Sequence, residues 1–125
     1  MRLQEPRPLS PAEREVLDLM LSKDFPGAGS LRSQVPCVQV VGRCDCGCAT
    51  VSLEVSPEAP RAIPDVRGRV LPVTGYVGPN IDEPKAGIIV FVDEGFLSSL
   101  EIYSIAEPAP HKWPDLHEIQ VVDNT

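Results

Sequence analysis

The spacing of apolar residues changes once along the chain, and this change constrains the fold more than any other feature. In the first third, apolar residues recur at helical spacing, as in Val16, Leu17, Met20 and Leu21. From Cys37 onward they alternate with polar residues, as in Val51 to Val55. This order predicts an α+β fold in which two N-terminal helices pack on a mostly antiparallel five- to six-stranded sheet.

Local signals predict where several elements begin and end. Ser10, Pro11 and Glu13 match a capping box with proline in the first helical turn, which predicts a helix start. A second, shorter helix should end before Pro36, since proline disfavours helix in its predecessor. The tripeptide 93–95 predicts a hairpin turn because its glycine adopts positive φ readily. Strands are expected from Cys37 onward, at Val51 to Val55, at about Arg67 to Val77, at Gly87 to Val92, at Phe96 to Ile105 and at Glu118 to Val122.

Length and net charge restrict the class of protein. A chain of 125 residues with 42% hydrophobic side chains fits a single domain, residues 1–125, with one core. A net charge of -7 argues against a nucleic-acid binder and against a basic membrane-surface helix. The longest apolar run, Ile88 to Val92, is far shorter than the roughly 20 residues of a membrane-spanning helix. Residues 1–10 lack the apolar segment of a signal peptide, so we expect a cytoplasmic protein. The net charge and the short apolar run predict that it has no nucleic-acid or membrane partner. The oligomeric state stays open.

The acidic side chains are distributed unevenly along the chain. Residues 1–69 contain nine basic and nine acidic side chains, whereas residues 70–125 contain two basic and nine acidic ones. If the fold gathers the carboxylates of the second half, they form a surface that attracts a basic protein partner. The candidate partner-binding residues are Asp82, Glu83, Asp93, Glu94 and Glu101. The alternative interpretation is an acidic surface that only confers solubility.

A cluster of cysteines begins directly after Arg43. In an extended segment, Cys44, Cys46 and Cys48 would point to one side. On a flat strand such positions are about 6.6 Å apart, whereas tetrahedral zinc needs sulfur atoms about 3.8 Å apart. A bulge at Gly47 would bring two of these thiols together, and a further thiol from the neighbouring strand would complete the site. The candidate metal ligands are Cys37, Cys44, Cys46 and Cys48, with His111 or His117 as a further contributor. Zinc is the ion expected at such a site, although we expect no cofactor to be required.

Two other interpretations of the thiols stay open. Unpaired cysteines are often small buried apolar residues, which would fit a central strand. A redox role is less favoured, because a C-x-C disulfide closes a strained small ring and the chain has no C-x-x-C motif. Without a secretory signal the chain should meet a reducing environment, so no structural disulfide is expected.

Catalytic motifs are missing from the sequence. Phosphate-loop, nucleophile-elbow and two-histidine zinc-protease patterns are absent, and the chain contains only two histidines. We therefore expect no enzymatic activity. A catalytic interpretation would need His117 and Asp115 to share a pocket with Glu101.

Four segments carry a resemblance to known proteins: RPLSPAERE (7–15), DFPGAGSLRSQV (24–35), GRCDCGCATVSLEV (42–55) and FVDEGFLSSLEIY (91–103). The chain resembles a group of small actinobacterial proteins without an assigned activity, so the resemblance implies no catalytic residue. The last segment also resembles immunity-type proteins that neighbour polymorphic toxins, which is a similarity of pattern.

These observations lead to two hypotheses about function. The first is a non-enzymatic cytoplasmic interaction protein, with an immunity-type inhibitor of a basic protein as its specific form. The alternative is a cysteine-ligated zinc-binding or metal-sensing domain.

Overall fold

A computed structural model describes residues 2–61 and 70–124 of the chain. Within these two ranges, two helices and seven strands are accompanied by two short 3-10 turns, Val35–Cys37 and Leu116–Glu118. In chain order the helices and strands are β1 (Arg2–Pro8), α1 (Pro11–Met20), α2 (Ala28–Gln34), β2 (Val38–Arg43), β3 (Val51–Val55), β4 (Val73–Val77), β5 (Ala86–Asp93), β6 (Phe96–Ser104) and β7 (Ile119–Asp123).

The strands form one antiparallel sheet in the order β1-β2-β3-β6-β5-β4-β7. The α+β prediction is confirmed, but the sheet has seven strands rather than five or six, and β1 precedes the helices. This edge strand was missed because Arg2–Pro8 contains two prolines and no alternation of apolar residues. Prolines are tolerated on an edge strand, where one side of the backbone needs no partner. The strand expected at Arg67 to Val77 is observed as β4, and residues 67–69 lie outside the described residues.

The predicted capping box begins α1 and ties this helix to β1. Ser10 Oγ accepts a hydrogen bond from the Glu13 backbone N–H at 3.1 Å, and Glu13 Oε1 accepts one from the Ser10 N–H at 2.8 Å. Arg7 donates two further bonds to the same carboxylate, at 2.8 and 2.9 Å. Burial alone would raise the pKa of Glu13, but the bonds from Arg7 and Ser10 outweigh burial and lower this pKa.

The core lies between the helices and one face of the sheet. Helix α1 contacts β4 and β5, and α2 contacts β6. The apolar stripe predicted for α1 is buried, and it faces the inward residues of β5, including Ile88 and Val90. The opposite face, which we call the open face, includes Ser52, Phe91 and Ser99 in neighbouring positions on β3, β5 and β6.

The β5–β6 hairpin turns at the predicted tripeptide. Glu94 and Gly95 both have positive φ, 51° and 86°, which gives the backbone twist that a two-residue hairpin turn requires. The fully buried Gln34 of α2 donates to the Gly95 carbonyl at 2.8 Å and accepts from the Leu97 N–H at 3.0 Å. The hairpin turn is thereby fixed to α2. Among the described residues, the helices lack the length and apolar character needed to cross a bilayer.

Candidate metal centre

The four cysteines lie at the two ends of β2. Cys37 is exposed in the 3-10 turn before the strand, whereas Cys44, Cys46 and Cys48 follow the strand. A strand of six residues at about 3.3 Å each separates its ends by about 20 Å. Cys37 was expected on a strand next to the other three thiols, but it flanks the same strand at the far end. The structure therefore brings together three of the four predicted cysteine ligands.

The cysteine segment is a turn joining β2 to β3, and not the extended segment that the alternation indicated. The Gly47 N–H donates to the Cys44 carbonyl at 3.2 Å, and the Cys44 N–H donates to the Thr50 carbonyl at 3.3 Å. Gly47 has a φ of 87°, a backbone conformation that favours glycine. This reversal folds the chain between Cys46 and Cys48. We call residues 44–50 the cysteine turn.

The three sulfur atoms of the cysteine turn form one group. The Sγ atoms of Cys44, Cys46 and Cys48 all lie within 4.8 Å of one another. The Sγ atoms of Cys44 and Cys46 are 2.8 Å apart, and the Cys48 N–H points to the Cys46 sulfur at 3.4 Å. Tetrahedral zinc at about 2.3 Å from each thiolate places sulfur atoms about 3.8 Å apart. The separation of Cys44 and Cys46 is shorter than this value and the other two do not exceed 4.8 Å, so side-chain rotations can bring the three sulfur atoms to the spacing around an ion.

Exposure separates these thiols from ordinary core cysteines. Cys48 is 6% exposed, whereas Cys46 is exposed and Cys44 is half-buried. The sequence also allowed the cysteines to be buried apolar residues of a central strand. Of the four, only Cys48 is buried, and it lies in a turn and not in a strand. An ion could approach the thiols of Cys44 and Cys46 directly from solvent.

Hydrogen bonds shift the pKa values of Cys46 and Cys48 in opposite directions. Burial disfavours the Cys48 thiolate, but hydrogen bonds from Thr50 and Cys46 outweigh burial and lower the pKa of Cys48 to about 7. The hydrogen bond with Cys44 is the largest cause that raises the pKa of Cys46, to about 11. Of these two thiols, Cys48 therefore loses its proton more readily than Cys46. A bound cation would stabilise all three thiolates, since metal binding displaces their protons.

The two histidines lie in different surroundings. His111 Nδ1 is 2.6 Å from the Gly47 carbonyl oxygen, which places this ring against the cysteine turn. His117 instead forms an exposed group with Asp115 and Glu118, whose ligand atoms all lie within 4.8 Å of one another. Glu101 lines a groove on the open face that His117 does not line. The three groups of the catalytic alternative therefore do not share that groove.

The predicted partner-binding carboxylates divide into two locations. Asp93 and Glu94 form the β5–β6 turn, and Glu101 lies on the open face of β6. Asp82 and Glu83 lie in the turn before β5, at its opposite end, so the structure does not gather all five residues. With Glu54 of β3, the first three residues line two adjoining grooves, which we call the acidic groove.

Basic residues from the first half of the chain reach the acidic groove. Arg2 lies 3.6 Å from Glu54, and Arg61 Nε donates to the Glu94 carbonyl at 2.5 Å. The Glu101 carboxylate accepts a hydrogen bond from the Ser99 hydroxyl at 2.9 Å. These contacts reduce the negative potential of the groove.

Two residues at these sites were missed at the sequence level. Thr50 Oγ1 donates to the Ile102 carbonyl at 3.2 Å and accepts from the Ile102 N–H at 3.0 Å, which anchors the cysteine turn to β6. Its role depends on strand order, which the sequence does not reveal. Glu54 could have been found, because it alternates with the apolar residues of β3 and must therefore face outward.

No protein-family model, curated protein or solved structure matches this chain. The resemblances to actinobacterial and immunity-type proteins therefore stay predictions, and the functional argument depends on the geometry of the cysteine turn and the acidic groove.

Proposed function

We propose that this chain is a metal-binding domain in which the thiolates of Cys44, Cys46 and Cys48 hold one zinc ion. The observation that carries the proposal is the convergence of three sulfur atoms within 4.8 Å on a short turn. Thiolates are preferred ligands of zinc and of other soft ions. Two of the three thiols are accessible, so an ion can enter without opening the core.

The backbone around these sulfur atoms supports a binding role. The cysteine turn is fixed to β6 through Thr50, and the Ala49 N–H donates to the Pro110 carbonyl at 2.9 Å. A turn held from two sides loses little conformational entropy when an ion binds, which favours affinity. Three protein ligands leave a fourth tetrahedral position for a further donor.

Zinc content of variants tests this proposal. Protein purified without added metal should contain about one zinc per chain, whereas Cys46→Ser should contain less than about 0.1, because a neutral hydroxyl replaces a thiolate. Cys37→Ser is the matched control, since it alters a thiol that is also exposed but lies at the other end of β2, and this variant should retain the ion. Elemental analysis measures both. A wild-type chain without zinc and with four freely titrating thiols would contradict the proposal.

A second candidate function is binding of a basic protein, with an immunity-type inhibitor as one form. The acidic groove favours it, because four carboxylates from β3, the β5–β6 turn and β6 line adjoining depressions. Arg2 and Arg61 offset part of the groove's negative charge, and the remaining carboxylates attract a cationic partner and accelerate association. This function uses the open face and is compatible with a metal in the cysteine turn.

Paired charge reversals test the acidic groove. Asp93→Lys with Glu94→Lys should weaken binding of a lysine-rich peptide by about tenfold at low salt, since both carboxylates border the groove. Asp82→Lys with Glu83→Lys changes net charge equally at the other end of β5 and should have a much smaller effect. Fluorescence anisotropy at two salt concentrations measures the binding. Equal weakening by both pairs would show a response to net charge alone and would contradict a localised site.

A further inference from the structure

The segment before β7 is bound to the cysteine turn at two adjacent residues. The Pro110 carbonyl accepts from the Ala49 N–H at 2.9 Å, and His111 Nδ1 lies 2.6 Å from the Gly47 carbonyl oxygen. A carbonyl oxygen only accepts hydrogen bonds, so Nδ1 carries the donated proton. In the neutral imidazole the other nitrogen, Nε2, then has a free lone pair.

Histidines that bind a metal commonly share this arrangement. Such histidines donate one ring N–H to a backbone carbonyl or carboxylate, which fixes the tautomer and orients the other nitrogen toward the ion. Here the accepting carbonyl belongs to Gly47, which lies between two of the cysteine ligands. We infer that His111 Nε2 supplies the fourth ligand and completes a Cys3His site. This inference rests on the proposed metal-binding function.

Contact between the ring and the turn supports this placement. A Cβ atom added to Gly47 would lie 3.5 Å from His111 Nδ1 and 3.6 Å from Cε1, so the imidazole packs directly over the glycine. The imidazole nitrogens lie outside the group of sulfur atoms that are within 4.8 Å of one another. Closure of the site therefore requires the three cysteine side chains to rotate toward His111 Nε2, while the bond between His111 Nδ1 and the Gly47 carbonyl is kept.

The electrostatic balance also favours a neutral fourth ligand. Three thiolates around a divalent ion already give the site a net charge of about -1. A fourth thiolate would add a further negative charge, whereas an imidazole adds none. Coordination by His111 would also make the ion a link between the cysteine turn and the connection that leads from β6 to β7.

Cadmium-113 NMR of the full chain tests the ligand set directly. Scalar coupling through metal–ligand bonds should give cross-peaks from 113Cd to the Cβ protons of Cys44, Cys46 and Cys48 and to the ring protons of His111. Cross-peaks to the cysteines without any to His111 would overturn the inference and leave the proposed function intact. Absence of cysteine cross-peaks would overturn both.

Two histidine variants provide a matched comparison. His111→Asn keeps a side-chain donor near the Nδ1 position but lacks Nε2. The affinity of this variant for cadmium and zinc should therefore be lower than that of the wild type by a factor of about ten or more. His117→Asn should bind them as tightly as the wild type. Equal affinity of His111→Asn and the wild type would show that His111 only positions the turn, and would overturn the assignment of a fourth ligand.

Discussion

Removal of zinc by a chelator is expected to lower the thermal unfolding midpoint of the wild-type chain by up to about 14 °C. An ion at a free concentration of roughly 100 times its Kd stabilises the folded state by about 2.7 kcal/mol. For a domain of this length, each kcal/mol corresponds to roughly 3–5 °C. This temperature change is an upper limit, because the unfolded chain keeps three cysteines close together in sequence and also binds some metal. Metal binding to the unfolded state reduces the stabilisation of the folded state.

The cysteine turn explains why this effect should extend beyond the site. Thr50 joins the turn to β6, and Ala49 joins it to Pro110 near the C-terminal strand. An ion that fixes the turn therefore stabilises contacts between distant parts of the chain. Differential scanning calorimetry with and without chelator measures the change. Cys46→Ser should show no response to chelator, and an equal response from this variant and the wild type would contradict the account.

Gln34→Leu is expected to destabilise the fold by roughly 3–5 kcal/mol, because two buried backbone groups and one partly buried group would lose their partners. Gln34 is fully buried, and its amide nitrogen donates to the carbonyls of Pro60 and Gly95 at 2.7 and 2.8 Å. Its amide oxygen accepts from the Leu97 N–H at 3.0 Å. Leucine is similar in size but satisfies none of these groups.

Chemical denaturation checks the effect of Gln34→Leu. The matched control is Ser33→Ala, the preceding and exposed residue of α2, whose hydroxyl donates to the Gly29 carbonyl within the helix. This control should change the free energy of unfolding by less than about 0.5 kcal/mol. A Gln34→Leu variant as stable as the control would contradict the prediction, since it would show that the hydrogen bonds of the buried amide contribute little to the free energy of unfolding.

Features with local causes were predictable from the sequence. Ser10 and Glu13 are three residues apart, and the reciprocal bonds of a capping box require only that spacing. The β5–β6 turn was equally predictable, because Gly95 supplies a positive φ within the turn itself. In both cases the interacting groups lie within a few residues of one another.

Features that depend on strand order were not predictable. Strand β1 gives no periodic signal, since it pairs with β2 through its backbone at the edge of the sheet. The separation of Asp82 from Asp93 is different, because it follows from β5 alone: the strand predicted at Gly87 to Val92 already implied that its two turns lie at opposite ends. Contact between His111 and the cysteine turn joins residues 64 positions apart, and only the register of the complete sheet brings them together.

The central claim is that one zinc ion is held by the thiolates of the cysteine turn, and native mass spectrometry of the intact chain tests it most directly. We expect a species heavier than the metal-free chain by one zinc atom, less the protons displaced from the thiols. Cys37→Ser should give the same increment. A wild-type mass equal to that of the chain with four free thiols, or lower by the two hydrogens lost in a disulfide, would contradict the claim.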